Sequence, residues 1–182
     1  MPLKLKDLPS PWPSFLKEVD EVLKAPVELQ CLGGFVLTVQ FGMPRSTDDL
    51  DYISVIPRAA AAELERLAGR GSKLSQKHKV FLQNVGAIPD LPDSYEERLV
   101  QLELGLSKLS LKLIVDPYDL ALSKLTRNNT KDREDVKFLA TALHLSFKEL
   151  VARFDAEMKP WLPNLDRHAL TLEKLWKDYF PD

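Results

Sequence analysis

The chain has 182 residues, of which 45% are hydrophobic and 29% charged, and its formal net charge is −2. These values are ordinary for a soluble globular protein and exclude a globally basic nucleic-acid-binding protein, so any contact with nucleic acid must come from a local patch. The only cysteine, Cys31, cannot form an internal disulfide, and no segment approaches the length of a membrane span. We therefore expect a cytoplasmic protein without membrane contact.

Hydrophobic periodicity predicts alternating helices and strands in the first 115 residues. Helices are expected over residues 14–24, directly after Gly33-Gly34, and over 58–68. Strands are expected over residues 27–32, 52–56, 80–85, 98–104 and 109–115. The last two strands are close in sequence and predict a hairpin or meander.

From Asp116 onward the pattern is helical. Asp116 and Pro117 are typical of an N-cap and a first helical residue, and Thr130 is the expected cap of the next helix. The four predicted helices are 116–127, the one after Thr130, 147–158 and 170–179. We therefore expect an α+β fold, with a mixed sheet flanked by helices in residues 1–115 and a helical C-terminal extension in residues 116–182 packed on it.

A glycine pair and two acidic residues suggest a site. Gly33-Gly34 lies between a strand and an apolar segment, where the backbone can approach a ligand closely and a starting helix can direct free N–H groups at phosphate. Asp49 and Asp51 project from the same face of an extended strand, so their carboxylates can share one or two hard cations. Together these features predict metal-dependent handling of a nucleoside triphosphate.

A second acidic pair lies on the helix that follows Thr130. Asp132 and Asp135 fall on the same side of this helix as its apolar residues, so we expect them to face the core. Buried carboxylates need partners, and the nearest cations in sequence are Lys124 and Arg127. Two interpretations stay open at this point: a buried salt-bridge clasp joining two helices, or a role in binding nucleotide or metal.

Basic residues are concentrated between residues 58 and 79, a stretch that contains six lysines and arginines but only two glutamates. This stretch could contact an RNA or nucleotide backbone, or it could be a solvated helix face followed by a basic loop. No glycine-rich ATPase loop and no Gly-x-Ser-x-Gly motif is present, which argues against a mononucleotide-binding ATPase and a serine hydrolase.

The order of these motifs resembles a known superfamily. Gly33-Gly34 followed by Arg45-Ser46-Thr47-Asp48-Asp49-Leu50-Asp51 resembles the signature of the polymerase-beta-like minimal nucleotidyltransferases. The run from Asp116 to Leu125, followed by residues 131–135, is similar to uncharacterised bacterial relatives of the AbiEii-type toxins, which are nucleotidyltransferases of abortive-infection and toxin–antitoxin systems. The similarity spans roughly residues 27–143.

The resemblance implies a role for each matching residue. Asp49 and Asp51 would hold Mg²⁺ at the catalytic centre, and Lys124 would reach a phosphate. The remaining nucleotide-binding positions implied are Gly33, Gly34, Arg45, Ser46, Thr47, Asp132 and Asp135. Residues 1–115 would then form the nucleotidyltransferase core.

The implied reaction is a magnesium-dependent transfer of a nucleotide from an NTP to an acceptor hydroxyl, on an RNA 3′ end or on a protein. The resemblance also implies a toxin with an antitoxin partner protein. The chain departs from the full pattern in a third carboxylate, for which Glu97, Glu103 and Asp116 are the nearby options and none lies in an acidic motif. The alternative is therefore a catalytically weak nucleotide-binding or scaffold module with the same fold.

Overall fold

The computed structural model describes residues 3–86 and 89–181 of the chain. Its strands are β1 (Val27–Leu32), β2 (Asp49–Ile56), β3 (Phe81–Asn84), β4 (Leu99–Leu102) and β5 (Leu109–Ile114). Its α-helices are α1 (Trp12–Val22), α2 (Gly34–Phe41), α3 (Ala61–Ala68), α4 (Lys73–His78), α5 (Pro117–Leu122), α6 (Thr130–Ala142), α7 (Phe147–Glu157) and α8 (Leu165–Thr171). No helix in this part of the chain combines the length and apolar character that crossing a membrane requires.

The five strands form one mixed sheet in the order β3-β2-β1-β5-β4. The central strand β1 is antiparallel to β2 and parallel to β5, while β2 is parallel to β3. β4 and β5 form the predicted antiparallel hairpin. The predicted α+β fold, with a mixed sheet flanked by helices and a helical C-terminal part, is confirmed.

The contacts divide the chain into two compact units. The first contains residues 3–86 and 99–114, and therefore the whole sheet with α1 to α4. The second contains residues 89–98 and 115–181, with α5 to α8. The predicted boundary near residue 115 stays a prediction.

One face of the sheet in the first unit is apolar. Five side chains on this face are at most 1% exposed: Leu29, Cys31, Leu50, Tyr52 and Leu111. The register between β1 and β2 shifts by one residue of β2, because Gln30 pairs with Ser54 but Cys31 pairs with Tyr52. A bulge of this kind lets side chains an odd number of positions apart point to the same face, so Val55 and Tyr52 both join the core.

The opposite face of the same sheet carries several polar side chains beside the buried Leu32 and Ile114, and we call it the polar face. Glu28 on β1 forms an ion pair with Lys112 on β5 at 3.0 Å, and Gln101 on β4 donates a hydrogen bond to Ser110 at 2.7 Å. Leu32 has the same orientation as Glu28, and Asp51 pairs with Leu32 in the register of β1 and β2. The carboxylate of Asp51 therefore lies on the polar face.

A buried aspartate attaches α1 to the start of β5. Asp20 is 8% exposed and accepts hydrogen bonds from the backbone N–H groups of Ser107, Lys108 and Leu109 at 3.1, 2.6 and 2.7 Å. Burial alone would raise the pKa of this carboxyl, but the backbone hydrogen bonds outweigh burial and hold its pKa below the ordinary value. The ionised carboxylate therefore stabilises the folded first unit.

We expect Asp20→Ala to lower the free energy of unfolding by about 2–4 kcal/mol at pH 7, because three backbone donors lose a charged acceptor. The folded pKa lies below the unfolded pKa of about 3.9, so this contribution is complete above the unfolded value and is lost as the pH falls through the folded one. Urea unfolding at neutral and acidic pH measures the effect. A difference between variant and wild type that stays constant down to acidic pH would contradict this account.

The second unit contains a buried network of charges. Asp119 is fully buried, and its carboxylate contacts Arg98 at 2.7 Å and Arg153 at 2.6 Å. Glu157 on α7 contacts the same two arginines at 2.8 and 3.3 Å. Asp116 caps α5 as predicted, because its side chain accepts hydrogen bonds from the backbone N–H groups of Tyr118 and Asp119. These contacts hold α5 against α7.

Besides small shifts of strand ends, the structure differs from the predicted elements at four places. The helix expected over 116–127 ends at Leu122, and the helix expected over 170–179 begins at Leu165 and continues as π-helical and 3₁₀ turns. Asn129, rather than Thr130, caps α6, because its side chain accepts a hydrogen bond from the Asp132 N–H. The expected basic loop contains α4, which is capped by Ser72.

Candidate functional site

The turn between β1 and α2 lies directly against Asp51. Gly33 has a φ of +81°, and a Cβ placed on it would lie 2.5 Å from Asp51 Oδ2. A side chain at this position would therefore be strained by the backbone conformation and would also collide with the carboxylate. Glycine allows the end of β1 and the acidic strand β2 to meet.

The second glycine faces the segment that leads into β2. A Cβ on Gly34 would lie 3.3 Å from Thr47 Oγ1 and 3.7 Å from a guanidinium nitrogen of Arg45. Thr38, one turn further along α2 than Gly34, holds the same segment, because its hydroxyl donates a hydrogen bond to the Arg45 carbonyl at 2.8 Å. Arg45 and Thr47 are thereby placed beside the first turn of α2.

Thr47 also orients the first acid of the pair. Its hydroxyl donates a hydrogen bond to Asp49 Oδ1 at 2.6 Å. Asp49 and Asp51 are both partly exposed, and Leu50 between them is fully buried in the core. The alternation places both carboxylates on the polar face of the sheet. Ser46 lies exposed in the same segment.

The two carboxylates fit one Mg²⁺ ion in their chemistry. Carboxylate oxygens are the hard donors that Mg²⁺ prefers, and Mg²⁺ is commonly held by one or two carboxylates together with water and substrate phosphate. Within residues 3–86 and 89–181, no group of three or more His, Cys, Asp or Glu side chains is arranged to hold a metal ion. Asp49 and Asp51 would therefore share such an ion with oxygens that the protein does not supply.

The buried thiol near the site is chemically inert. Cys31 on β1 is fully buried, and burial together with the negative charge of Asp51 raises the pKa of its thiol. A thiol with a raised pKa stays protonated at neutral pH and is a poor nucleophile. Cys31 contributes packing below the acidic strand.

Lys124, Asp132 and Asp135 lie together in the second unit. Lys124 Nζ is 3.1 Å from Asp135 and 3.8 Å from Asp132, and both carboxylates are at most 1% exposed. The inward orientation predicted for the two aspartates is confirmed. These contacts form the predicted salt-bridge clasp, but they join the turn after α5, rather than a second helix, to α6. A role at the nucleotide stays a prediction.

Arg127 completes this cluster. Its Nε and Nη2 atoms donate hydrogen bonds to the Asp132 carboxylate, with lengths of 2.8 and 2.6 Å. The backbone N–H of Asn129 donates a third hydrogen bond to the same carboxylate. Burial alone would raise the pKa of Asp132, but these hydrogen bonds and the nearby Lys124 charge keep it below the ordinary value. Asp132 is therefore ionised at neutral pH.

The three options for a further carboxylate lie in different surroundings. Asp116 caps α5 and contacts Arg153 at 3.4 Å, and Glu103 and Glu97 are exposed. Gln83 is a further candidate that no sequence motif indicates, and it pairs with Asp51 in the register of the parallel strands β2 and β3. The sequence predicts a strand around residue 83, but only the strand order reveals the neighbour of this residue.

Searches of curated proteins and of solved structures found no match to the chain. A family model does match, over residues 14–180, and its description is "Nucleotidyltransferase of unknown function (DUF6036)". The matched range contains both the glycine turn with its two acids and the charged cluster of the second unit. The chain therefore belongs to this family of nucleotidyltransferases.

Proposed function

We propose that this protein is a magnesium-dependent nucleotidyltransferase that transfers a nucleotide from an NTP to an acceptor hydroxyl. One observation supports the proposal independently of the family match: the Gly33 turn, where a helix begins, lies against the carboxylate of Asp51. A helix N-terminus favours phosphate, and an adjacent pair of carboxylates favours the cation that accompanies a triphosphate.

In this proposal Asp49 and Asp51 hold Mg²⁺, which would neutralise charge on the phosphate oxygens and the leaving pyrophosphate. The backbone of Gly33 and Gly34 binds the triphosphate, and Ser46 lies in the segment that borders it. Arg45 and Thr47 brace this segment, Thr47 by its hydrogen bond to Asp49.

Lys124, Asp132 and Asp135 are kept as proposed nucleotide contacts. Their ion pairs with one another give them a structural role as well.

For the acceptor we propose an RNA 3′ end or a protein hydroxyl. Exposed cations on the first unit support RNA; they are Arg58, Arg66, Arg70, Lys73, Lys77 and Lys79. Two of these cations already have partners within the protein. Lys77 forms an ion pair with Glu18 at 2.6 Å, and the Arg70 guanidinium lies 4.2 Å from the centre of the Phe81 ring. Clustered lysine and arginine side chains bind phosphate backbones without sequence preference.

The similarity to AbiEii-type toxins supports a further proposal, that the protein is a toxin held inactive by an antitoxin partner.

The second candidate function is a nucleotide-binding or scaffold module that does not transfer nucleotides. One observation favours it: the described residues contain no metal-binding group of three or more acids, histidines or cysteines.

A transfer assay separates the enzyme from the module. The protein is incubated with Mg²⁺, each labelled ribonucleoside triphosphate in turn, and total RNA. We expect label to appear in RNA or in protein, and to fall by at least about 100-fold in Asp49→Asn and in Asp51→Asn, as when a preorganised charge-stabilising group is removed from an active site.

The matched control is Asp48→Asn, which makes the same change at the exposed neighbour of Asp49. Its transfer rate should stay within about two-fold of wild type, since surface substitutions away from a site have small effects. NTP binding without any transfer would support the module instead. Equal transfer in wild type and both site variants would overturn the enzyme proposal.

A further inference from the structure

The side chains beside Asp51 on the two neighbouring strands limit the number of cations that the site can hold. In the sheet register Asp51 is opposite Leu32 on β1 and Gln83 on β3, and Asp49 is opposite Phe81. Register partners on neighbouring strands point to the same face, about 4.8 Å apart between strands. Gln83 therefore emerges beside Asp51 on the polar face of the sheet.

Gln83 offers an amide where an acid would add a third carboxylate to the pair. An amide oxygen can coordinate a cation but carries no charge. A second divalent ion at about 4 Å from the first would feel a repulsion four times that between two unit charges, so paired ions need anionic oxygens that bridge them. Among the described residues, no further carboxylate, histidine or cysteine joins Asp49 and Asp51 in a group of three that could hold a metal ion.

We propose that the site binds a single divalent cation, at Asp49 and Asp51, and that Gln83 is the residue that prevents a second cation from binding. This inference rests on the proposed function and deepens it, because it fixes the number of metal ions with which that function operates. One Mg²⁺ with two protein carboxylates leaves coordination positions for water and for the phosphate oxygens of the NTP.

The test counts Mn²⁺ ions bound to the complex of the protein with a non-hydrolysable NTP analogue. Electron paramagnetic resonance distinguishes an isolated Mn²⁺ from a pair that is coupled at short distance. We expect one uncoupled Mn²⁺ per chain in the wild type. In Gln83→Glu, which replaces the amide by a carboxylate of nearly the same shape, we expect two coupled ions.

Asn84→Asp is the matched control, since it makes the same chemical change on the next residue of the same strand. Asn84 pairs with the buried Tyr52 and so belongs to the other face of the sheet. Its side-chain oxygen accepts a hydrogen bond from the Gly86 N–H at 2.9 Å, which an aspartate can also accept. We expect this variant to bind one uncoupled Mn²⁺ like the wild type.

The possible failures are distinguishable. A coupled pair in the wild type would overturn the single-cation proposal. A single ion in Gln83→Glu, as in Asn84→Asp, would overturn the role proposed for Gln83. Either result leaves the transferase proposal standing. Absence of bound Mn²⁺ from the wild-type complex, with the same result in Asp49→Asn and Asp51→Asn, would overturn both.

Discussion

Gly33→Ala is expected to reduce nucleotide transfer by about 100-fold or more, the size of effect that a displacement of about 1 Å at a reacting centre can cause. The added methyl group would lie 2.5 Å from Asp51 Oδ2, too close for any real contact, so either the turn or the carboxylate must move. The free energy of unfolding should also fall by about 1–3 kcal/mol, because a residue with a side chain is strained at a φ of +81°.

Gly42→Ala separates the two effects. Gly42 ends α2 with a φ of +69°, but a Cβ there would have no atom within 4 Å. This variant should lose similar stability and keep its transfer rate. Initial rates at saturating NTP, measured beside urea unfolding curves, provide the comparison. Equal losses of activity in the two variants would mean that backbone strain, rather than contact with Asp51, explains the effect.

Local patterns predicted the parts of this site that depend on neighbours in sequence. The apolar run before Gly33, the glycine pair and the alternation of Asp49, Leu50 and Asp51 each predict their conformation from a few residues, and the structure has β1, α2 and β2 at these places. The inward orientation of Asp132 and Asp135 followed in the same way from helical periodicity.

Long-range pairing was beyond these patterns. Gln83 is beside Asp51 because β3 is parallel to β2 at the edge of the sheet, and a single sequence does not contain that order. Similarly, α4 is too polar to be recognised by periodicity; its residue Lys77 contacts Glu18 on α1, a partner 59 residues away. Tertiary contacts stabilise such a short helix, so its sequence alone favours a loop.

Lys124→Met should destabilise the second unit by about 3–5 kcal/mol, which is the usual cost of removing one partner from a buried ion pair. The lysine is 8% exposed, and its loss would leave the buried carboxylate of Asp135 without the ammonium group 3.1 Å away. Lys159→Met is the control, because its ion pair with Asp155 is about half exposed and should contribute at most about 1 kcal/mol. Urea unfolding followed by circular dichroism measures both.

The double variant Lys124→Met/Asp135→Leu distinguishes the two roles of the lysine. Replacing both charges of a buried pair with apolar side chains is often nearly neutral, so most of the lost stability should return. If Lys124 serves only the clasp, transfer should return with stability. If its ammonium group also contacts a phosphate, the double variant should still show a raised KM for NTP or a reduced kcat, even though its stability has recovered. Stability that fails to recover would instead indicate that Asp135 has a further structural partner that leucine cannot replace.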